Sequence, residues 1–460
     1  MPFYDLLIIG GGPGGYVAAS YATQFGKKVA LIEKNRLGGC CLNVGCIPTK
    51  IILEAAERYS IANGSEQYGV KGSEHAFFDW KTYKAFSDKI VANLCAGVGK
   101  LLKSRKVDVI YGEAAIINDE NSYNSYGQIK VGGQLFEAQN VIIATGSRPA
   151  IPEQFSRLNG VLTSDSFWTL EEQPHSIVIV GGGVIGCEIA SALSRLGTEV
   201  TIIEQMTQIL PEFSADATTL LKAELERCGV KIYCDKTVSD IRYQDDKGFE
   251  VLFEDKKIPC DYVLWATGRR PVVPAGIDDV HLTKEGFISV DENLRTDIDG
   301  IYCIGDANGK TLLAHAAINQ AMAVVKHICS GEKVESDAKI PTTVFTEPAI
   351  ARIGEYTQGR EMTNSGQLAI GTVPYNYVGY GHVTSHEQGY FKIFRDIKTD
   401  VIIGAEIVGH NACELIHVLA PYIDKKLSSR MFADVIFAHP TLSEGIKMAV
   451  EASYTGSPQV

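Results

Sequence analysis

The sequence predicts an α/β protein with two dinucleotide-binding domains, followed by a C-terminal domain of α+β type. Two internal repeats indicate this fold: a strand, glycine loop and helix occur twice, and so does a strand that ends in A-T-G-x-R-P. After Pro341, strands and helices continue without a further glycine fingerprint. We therefore expect residues 1–147 and 148–270 to be the nucleotide-binding domains, 271–340 to return to the first of them, and 341–460 to form an interface domain.

The length and composition of the chain are those of a soluble protein with about two to four domains. Its 460 residues are 45% hydrophobic and 21% charged, and 45 of them are glycine, which exceeds the usual share of about 7%. The formal net charge of −12 argues against nucleic acid and anionic membranes as partners, because both attract basic surfaces. We recognise neither a signal peptide nor a run of about eighteen apolar residues, so we expect a cytoplasmic protein.

The first repeat is a βαβ unit that occurs twice. Leu6–Gly15 reads LLIIGGGPGG and Ile177–Gly186 reads IVIVGGGVIG, and each leads through a helix to a strand that ends in an acid. In such a G-x-G-x-x-G loop the glycines permit a tight turn, a close approach of backbone N–H groups to a pyrophosphate, and close helix–strand packing. The fingerprint glycines are Gly10, Gly12, Gly15, Gly181, Gly183 and Gly186. A glycine turn without a ligand is the alternative, and the trailing strand and acid argue against it.

The acid at the end of each repeat indicates which nucleotide binds. Glu33 and Glu204 stand where a carboxylate accepts hydrogen bonds from the ribose hydroxyls. A carboxylate at position 204 would repel a 2′-phosphate, and the next three residues, Gln205-Met206-Thr207, bring no arginine to bind one. The second repeat therefore favours NAD over NADP.

Two of the eleven cysteines, Cys41 and Cys46, stand five residues apart. This is not the C-x-x-C spacing of metal ligands, and no second pair follows at a zinc-like interval. Gly45 and Pro48 suit a distorted helical turn in which the two thiols could meet as a redox disulfide, with two structural cysteines as the alternative. Because we recognise no secretion signal, we expect most of the other cysteines to be reduced and buried.

Near the C-terminus a histidine stands before a proline and five residues before an acid, in the segment His439–Glu444, which reads HPTLSE. A histidine can shuttle a proton near neutral pH, and a carboxylate can orient it. Pro440 suits the first turn of a helix, so we expect His439 to project from a helix start. A solvated loop histidine is the alternative.

The segment Gly38–Lys50, GGCCLNVGCIPTK, resembles the redox-active segment of the class I pyridine-nucleotide–disulfide oxidoreductases. The resemblance covers nearly the whole chain, and the motifs occur in the order typical of that family. It implies two Rossmann-like domains that bind FAD at the first fingerprint and NAD(H) at the second, and a C-terminal dimerisation domain. It also implies that Cys46 lies beside the flavin and that Cys41 faces the substrate. His439 and Glu444 would then be a general acid–base dyad that acts across the interface of a homodimer.

The same resemblance assigns further positions. It implies that Lys50 lies near flavin N5 and forms an ion pair with Glu188. Two positions depart from the family pattern: Cys40 replaces a small residue beside the interchange thiol, and Gln320 replaces an acid near the flavin. The other implied FAD contacts are Ala114, Thr145, Gly146, Asp306, Leu312, Ala314 and His315, and the implied NAD contacts are Val238 and Gly268.

Within this family the resemblance implies oxidation of dihydrolipoyl groups on a carrier protein, with reduction of NAD. A mercuric reductase would need a further cysteine pair near the C-terminus, but the last cysteine is Cys413. A glutathione reductase would need arginines after the second nucleotide strand, and a soluble transhydrogenase would lack the first redox cysteine. A flavoprotein subunit without catalysis is the rival from another class, and the intact cysteine pair argues against it. No lipoyl domain is recognisable, so the carrier would be another protein.

Overall fold

We describe the fold from a computed structural model of the chain. It describes residues 1–117, 127–158, 160–244, 248–277, 279–334, 339–355 and 368–455. By their internal contacts the residues divide into two compact units. Unit 1 comprises Met1–Ile52, Phe78–Gln173 and Leu264–Ser336, and unit 2 comprises Leu53–Phe77, Pro174–Val263 and Asp337–Val460. The division into four domains stays a prediction.

The chain forms 22 strands and 13 α-helices in the described residues. Up to residue 265 they are β1 (Phe3–Ile9), α1 (Pro13–Ala22), β2 (Val29–Glu33), α2 (Gly39–Val44), α3 (Cys46–Gly64), α4 (Trp80–Ser104), β3 (Asp108–Tyr111), β4 (Ala114–Ile117), β5 (Gln128–Val131), β6 (Gln134–Ile143), β7 (Ser147–Pro149), α5 (Glu153–Ser156), β8 (Val161–Thr163), β9 (Ser176–Val180), α6 (Val184–Arg195), β10 (Glu199–Ile203), α7 (Ala215–Arg227), β11 (Lys231–Tyr233), β12 (Asp240–Gln244), β13 (Gly248–Phe253), β14 (Lys256–Cys260) and β15 (Tyr262–Trp265). They continue as β16 (Arg269–Pro271), β17 (Ile301–Cys303), α8 (Ala314–Ser330), β18 (Thr342–Val344), β19 (Ile350–Gly354), β20 (Leu368–Pro374), α9 (Gly379–Val383), β21 (Tyr390–Asp396), β22 (Val401–Val408), α10 (Ala412–Leu415), α11 (Ala420–Asp424), α12 (Ser429–Ala433) and α13 (Ser443–Thr455).

A mostly parallel sheet forms the core of unit 1. Its strand order is β3-β2-β1-β6-β5-β4, and β17 pairs in parallel with β6. Leu7 and Ile8 of β1 point to opposite faces, and both are fully buried. A sheet that is covered on both faces needs an unbroken apolar strand, which is why β1 reads LLII rather than alternating. Helices α1 and α8 pack against each other over this sheet.

The second sequence repeat forms a two-stranded ribbon in unit 1. β7 follows the first A-T-G, β16 follows the second, and the two strands pair antiparallel. The register places Arg270 opposite Arg148 and Arg269 opposite Pro149. The two copies of A-T-G-x-R-P, more than a hundred residues apart in the sequence, are thus neighbours in the fold.

In unit 2 the second glycine repeat opens another parallel sheet. β10 pairs in parallel with both β9 and β11, with Val200 opposite Ile177. Val178 and Ile179 are buried, as in the first sheet. An antiparallel sheet of β12, β13 and β14 follows in the chain.

The C-terminal part of unit 2 is an antiparallel sheet covered by a helix. Its strand order is β18-β19-β22-β21-β20, and α13 packs on β20 and β21. A Cβ on Gly371 would lie 1.9 Å from the Ala449 carbonyl oxygen, so only glycine lets the helix approach this closely. Ile446 and Val450 of the helix are buried against the fully buried Phe391. The α/β sheets and this α+β segment confirm the predicted fold class.

One helical stretch, Gly39–Tyr68, has the length and apolar composition of a membrane span. This finding differs from the expectation that no segment approaches those limits. The criterion rests on length and composition alone, 17% of the most apolar window is buried, and core helices of other proteins meet it too. The backbone leaves the helical region at Gly45, so the stretch is not one continuous helix, and it contains both predicted redox cysteines.

Candidate active site

The two glycine loops have the same backbone geometry. Gly10 and Gly181 both have a φ of +109°, in the region that favours glycine. A Cβ on Gly15 would lie 1.8 Å from the Gly10 carbonyl oxygen, and a Cβ on Gly186 would lie 2.1 Å from that of Gly181. Helices α1 and α6 therefore pack closely against the ends of the strands that precede them.

The start of each of these helices is open. Gly12 precedes α1 and Gly183 precedes α6, both in extended conformation. A Cβ on Gly183 would meet no atom within 4 Å, and the nearest atom to a Cβ on Gly12 would be 3.8 Å away. Backbone N–H groups at an open helix start can bind a phosphate. Both loops therefore fit the pyrophosphate of a dinucleotide.

The two trailing acids also stabilise the loops themselves. Glu33 accepts a hydrogen bond from the Gly11 N–H at 2.7 Å, and Glu204 accepts one from the Gly182 N–H at 2.6 Å. Each carboxylate also accepts the N–H two residues further along the chain at 2.7 Å. Both side chains are buried. These carboxylates are fixed beside the glycine loop, and each oxygen keeps a lone pair with which to accept a ribose hydroxyl.

Replacing Glu204 with arginine is expected to lower the preference for NAD over NADP by about 10- to 100-fold in kcat/KM. The change removes a charged hydrogen-bond acceptor, worth about 1.5–3 kcal/mol, and brings a cation for the 2′-phosphate. Steady-state kinetics with both nucleotides measure the ratio, and Glu204→Gln, which keeps an acceptor for one loop N–H, serves as the control for loop damage. Equal use of NADP by the unaltered enzyme would contradict this interpretation of Glu204.

The segment with the predicted redox cysteines starts against the first phosphate loop. Gly38 and Gly39 both have positive φ, at +100° and +56°. A Cβ on Gly39 would lie 2.6 Å from the Gly12 Cα, closer than two such carbons can approach. Glycine at both positions lets α2 begin directly on the loop that fits the pyrophosphate.

A break between α2 and α3 separates the two cysteines. Gly45 has a φ of −130° and a ψ of −109°, outside the helical region. The Val44 carbonyl accepts a hydrogen bond from Nε1 of Trp168 at 2.7 Å. The Gly45 carbonyl accepts the Thr49 N–H at 3.1 Å and the Thr49 hydroxyl at 2.7 Å. Both carbonyls at the break are thus satisfied, as buried backbone groups must be.

Cys41 and Cys46 meet across this break as two thiols joined by a hydrogen bond. That hydrogen bond raises the pKa of Cys41 far above its usual range, burial raises it further, and the nearby Lys50 ammonium lowers it. Tyr16 of α1 lies near both sulfurs: burial raises the pKa of Tyr16, and the two thiols add to the shift. Because a thiolate is the reactive species, a base is needed for chemistry at Cys41 in the reduced pair.

The third cysteine of the segment, Cys40, lies near the pair but has a carboxylate as its partner. Its Sγ lies 3.9 Å from Oδ1 of Asp165, which forms an ion pair with Arg269 at 3.1 Å. Burial raises the pKa of Cys40 to about 12; Arg269 lowers it and Asp165 raises it. The Cys40 thiol is directed to a carboxylate rather than to another thiol, so the geometry favours a bystander role for Cys40.

Arg269 also connects to the predicted FAD contact Asp306. Its Nε donates to the Ser147 hydroxyl at 2.7 Å, and that hydroxyl donates to Oδ2 of Asp306 at 2.5 Å. Its Nη2 donates to the Ser147 carbonyl at 2.9 Å. Asp306 is therefore held in place from the A-T-G-x-R-P ribbon.

Gln320 stabilises the same loop through two hydrogen bonds. Its Oε1 accepts hydrogen bonds from the Gly305 N–H at 2.8 Å and from Nδ2 of Asn308 at 3.0 Å. Gly305 has a φ of +68° and precedes Asp306. Only an acceptor is required for these two bonds, and a glutamine provides it as an acid would.

Most remaining predicted nucleotide contacts lie at the ends of strands or the starts of helices. The Thr145 hydroxyl donates to the Val272 carbonyl. At Gly146 and Gly268, with φ of +70° and +127°, a Cβ would meet no atom within 4 Å, which leaves room for a ligand. The others are Ala114, buried at the start of β4, Val238, buried before β12, Leu312, exposed before α8, and Ala314 and His315, which begin α8.

Glu188 is a buried carboxyl on α6. Its Oε1 accepts a hydrogen bond from the Phe345 N–H at 2.9 Å. Lys50 lies on α3, one helical turn after Cys46. The ion pair expected between Lys50 and Glu188 stays a prediction.

His439 and Glu444 form a hydrogen-bonded pair in unit 2. Nδ1 of His439 lies 3.0 Å from Oε1 of Glu444, and the other oxygen of Glu444 accepts the Thr441 N–H at 2.8 Å. The His439 side chain is 80% exposed, and the nitrogen held by Glu444 is Nδ1 rather than Nε2. The expectation that Pro440 opens the helix is wrong, because α13 begins at Ser443 and Glu444 holds the preceding turn together.

The sequence analysis missed three side chains at this site: Tyr16, Trp168 and Arg269. Arg269 had a visible signal, since it follows the second A-T-G of the repeat. Trp168 and Tyr16 had none, because their partners at the redox segment are distant in the sequence. The expectation that most other cysteines are buried was also too broad: all eleven lie in the described ranges as thiols, but of the nine outside the pair four are buried and five are half-buried.

Comparison with protein families decides the class. The model of the pyridine nucleotide-disulphide oxidoreductases matches residues 4–321, and the model of their dimerisation domain matches residues 340–450. The chain belongs to this family. It is therefore an NAD-dependent flavoprotein disulfide oxidoreductase that uses FAD and NAD(H), and its dimerisation domain supports a homodimer.

This oxidoreductase is similar to several known proteins over nearly its whole length. The dihydrolipoyl dehydrogenase of Bacillus subtilis (strain 168) is 36% identical over an alignment of 462 positions, which covers 99% of this chain and 97% of that one. The structure of LpdA from Mycobacterium tuberculosis has a TM-score of 0.88 and 25% identity, covering 98% of this chain and 99% of that one. The HOCl-induced flavoprotein disulfide reductase RclA from Escherichia coli has a TM-score of 0.87 and 26% identity, covering 97% and 99%.

Proposed function

We propose that this oxidoreductase is a dihydrolipoyl dehydrogenase, which oxidises dihydrolipoyl groups to the lipoyl disulfide and reduces NAD. The Cys41–Cys46 pair, beside a helix start that packs on a phosphate loop, supports disulfide exchange, and the observation that favours the lipoyl substrate is the 36% identity to a dihydrolipoyl dehydrogenase over 99% of the chain. We infer that the lipoyl group belongs to a carrier protein and that the enzyme acts in the cytoplasm.

The residues present fit both cofactors. The first glycine loop with Glu33 would hold FAD, with Asp306 and the open position Gly146 as further contacts. The second loop with Glu204 would hold NAD. When bound, the flavin supplies the two-electron chemistry that connects a dithiol to a nicotinamide.

The proposed cycle starts from the Cys41–Cys46 disulfide. A substrate thiolate attacks the Cys41 sulfur, which forms a mixed disulfide and releases Cys46 as a thiolate. The second substrate thiol then attacks the substrate sulfur that is bonded to Cys41. This closes the lipoyl ring and releases Cys41. Two electrons and two protons have left the substrate, and the electrons are held in the cysteine pair.

His439 of the partner subunit is the proposed base. It would take the proton of the substrate thiol through Nε2, because Nδ1 is engaged by Glu444. The high exposure of His439 in the protomer supports a role at the site of another subunit. Glu444 would fix the ring orientation and stabilise the imidazolium that forms.

A disulfide reductase with another substrate is the second candidate function. The similarity to RclA over 97% of the chain favours it, since that protein is named a flavoprotein disulfide reductase. The two candidates share the cofactors and the cysteine pair. They differ in the disulfide that reaches Cys41.

A substrate panel distinguishes the two candidates. We expect NADH-dependent reduction of lipoamide, and NAD-dependent oxidation of dihydrolipoamide, to exceed turnover of glutathione disulfide or mercuric ion by at least about a hundredfold in kcat/KM, on the scale by which a built site rejects a mismatched substrate. Reduction by NADH of an artificial electron acceptor, which needs only the flavin, is the control for intact flavin chemistry. Faster turnover of glutathione disulfide or mercuric ion would leave the family intact but would overturn the lipoyl assignment.

A further inference from the structure

Three side chains meet at one edge of the C-terminal sheet in unit 2. Glu347 precedes β19, His386 precedes β21, and His410 follows β22. The register places Ile350, Val408 and Tyr390 in one row, because Ile350 lies opposite Val408 and Val408 lies opposite Tyr390. Each of the three segments leaves the sheet next to this row. The topology therefore brings together three segments that are far apart in the sequence.

The donor atoms of this cluster lie close to one another. One ligand atom from each of Glu347, His386 and His410 can be chosen so that all three lie within 4.8 Å of one another. Nδ1 of His410 is 3.9 Å from Oε2 of Glu347 and also 3.9 Å from Oε1 of Glu57, on α3. Two imidazoles and two carboxylates are thus available in a half-buried position.

One of these donors has no partner among the described residues. Nδ1 of His386 is buried and makes no hydrogen bond. A buried polar atom without a partner costs about 1–3 kcal/mol. A cation that accepts this lone pair would remove the cost. No step of the proposed disulfide chemistry uses the residue.

We propose that Glu347, His386 and His410, with Glu57 as a fourth donor, form a binding site for a divalent zinc-like ion. Two neutral imidazoles and two carboxylates are ligands that Zn²⁺ accepts, and the carboxylates balance its charge. The site is separate from the cysteine pair and does not depend on the lipoyl substrate. A bound ion would connect the three sheet-edge segments to α3 and so stabilise unit 2.

Binding requires a local rearrangement of the two histidines. Their rings are stacked, with centroids 3.8 Å apart and planes 17° apart. A metal bond lies in the plane of an imidazole, so one ring must turn out of the stack for both to reach the same ion. Tetrahedral Zn²⁺ also needs donors about 3.4 Å apart, so the cluster must contract.

The charged groups around the cluster set its net charge. Arg195 of α6 donates to the Glu347 carbonyl at 3.2 Å and would repel a cation. Its guanidinium also lies 4.0 Å from the carboxylate of Glu224, which offsets part of that charge. With both carboxylates ionised, the cluster keeps enough negative charge to hold a divalent ion.

Titration of the oxidised, FAD-loaded enzyme with Zn²⁺ tests the site by calorimetry. We expect one equivalent of binding that His386→Gln and His410→Gln each weaken at least about tenfold. His382→Gln is the matched control, because His382 is an exposed histidine near the cluster that pairs with Glu387 instead. It should bind Zn²⁺ as the unaltered enzyme does. Equal binding by His386→Gln, His410→Gln and the control would overturn the proposal.

A second measurement does not require the His386 and His410 variants to fold. Electron paramagnetic resonance of the unaltered enzyme with one equivalent of Cu²⁺ should show hyperfine coupling to two imidazole nitrogens. Removing His439, whose imidazole is exposed, should leave this pattern unchanged. A spectrum without two coupled nitrogens, or one that changes in His439→Gln, would assign the ion elsewhere and overturn the proposal.

Discussion

The Cys41→Ser enzyme is expected to lose dihydrolipoamide oxidation by at least about a thousandfold, as an enzyme does when its nucleophile is removed. It should also show a long-wavelength absorbance band without added reductant. Serine cannot form the disulfide, so Cys46 remains as a thiol beside the proposed flavin position and can donate charge to it as a thiolate. Visible spectra and steady-state rates of the FAD-loaded enzyme measure both effects.

The adjacent cysteine provides the matched control for this experiment. Cys40→Ser should keep its activity and the spectrum of plain oxidised flavin, because the Cys40 thiol is directed to Asp165 and its loss leaves both Cys41 and Cys46 in place. A plain oxidised-flavin spectrum for Cys41→Ser would show that Cys46 does not lie beside the flavin. A comparable loss of activity in Cys40→Ser would show that Cys40 takes part in thiol exchange.

His439→Ala homodimers are expected to lose about 10²- to 10⁴-fold in lipoamide-dependent turnover, the usual contribution of a general base. Mixing them with Cys41→Ser subunits should restore part of the activity. In a heterodimer, one of the two sites combines an intact cysteine pair with His439 of the other subunit. Random reassortment would give about a quarter of the activity of the unaltered dimer, since half of the dimers carry one complete site.

A mixture of Cys41→Ser and Cys46→Ser subunits is the control for this complementation. Each subunit then lacks one cysteine of its own pair. No site in the heterodimer is complete, and no activity should return. Subunit exchange is checked by tagging one variant and recovering mixed dimers. Mixed dimers of the histidine and cysteine variants that stay inactive would show that His439 acts within its own chain.

The sequence predicted those parts of the molecule that depend on local pattern. Both βαβ units could be predicted because a glycine loop between an apolar strand and a helix needs no distant partner. The close approach of Cys41 and Cys46 was also open to prediction, since they are five residues apart on one interrupted helix. The fit of the loops to a pyrophosphate follows from the same glycines.

The sequence could not show contacts that depend on tertiary packing. The bond from Trp168 to the Val44 carbonyl spans 124 positions, and the one from Arg269 to Ser147 spans 122. The cluster of Glu347, His386 and His410 arises only because three turns leave the same edge of a sheet. Pro440 misled the interpretation of its segment, because the carboxylate of Glu444 satisfies the turn before the helix and delays the helix start.

The contact between Gly39 and Gly12 means that the nucleotide loop and the redox helix share one surface. A methyl group on Gly39 would lie 2.6 Å from the Gly12 Cα and would push the two segments apart, so both functions would suffer from the same displacement. We therefore expect the binding of FAD and the placement of the two thiols to depend on the same contact. A substitution at Gly39 would therefore disturb both at once, so we expect this position to tolerate little variation although it carries no reacting group.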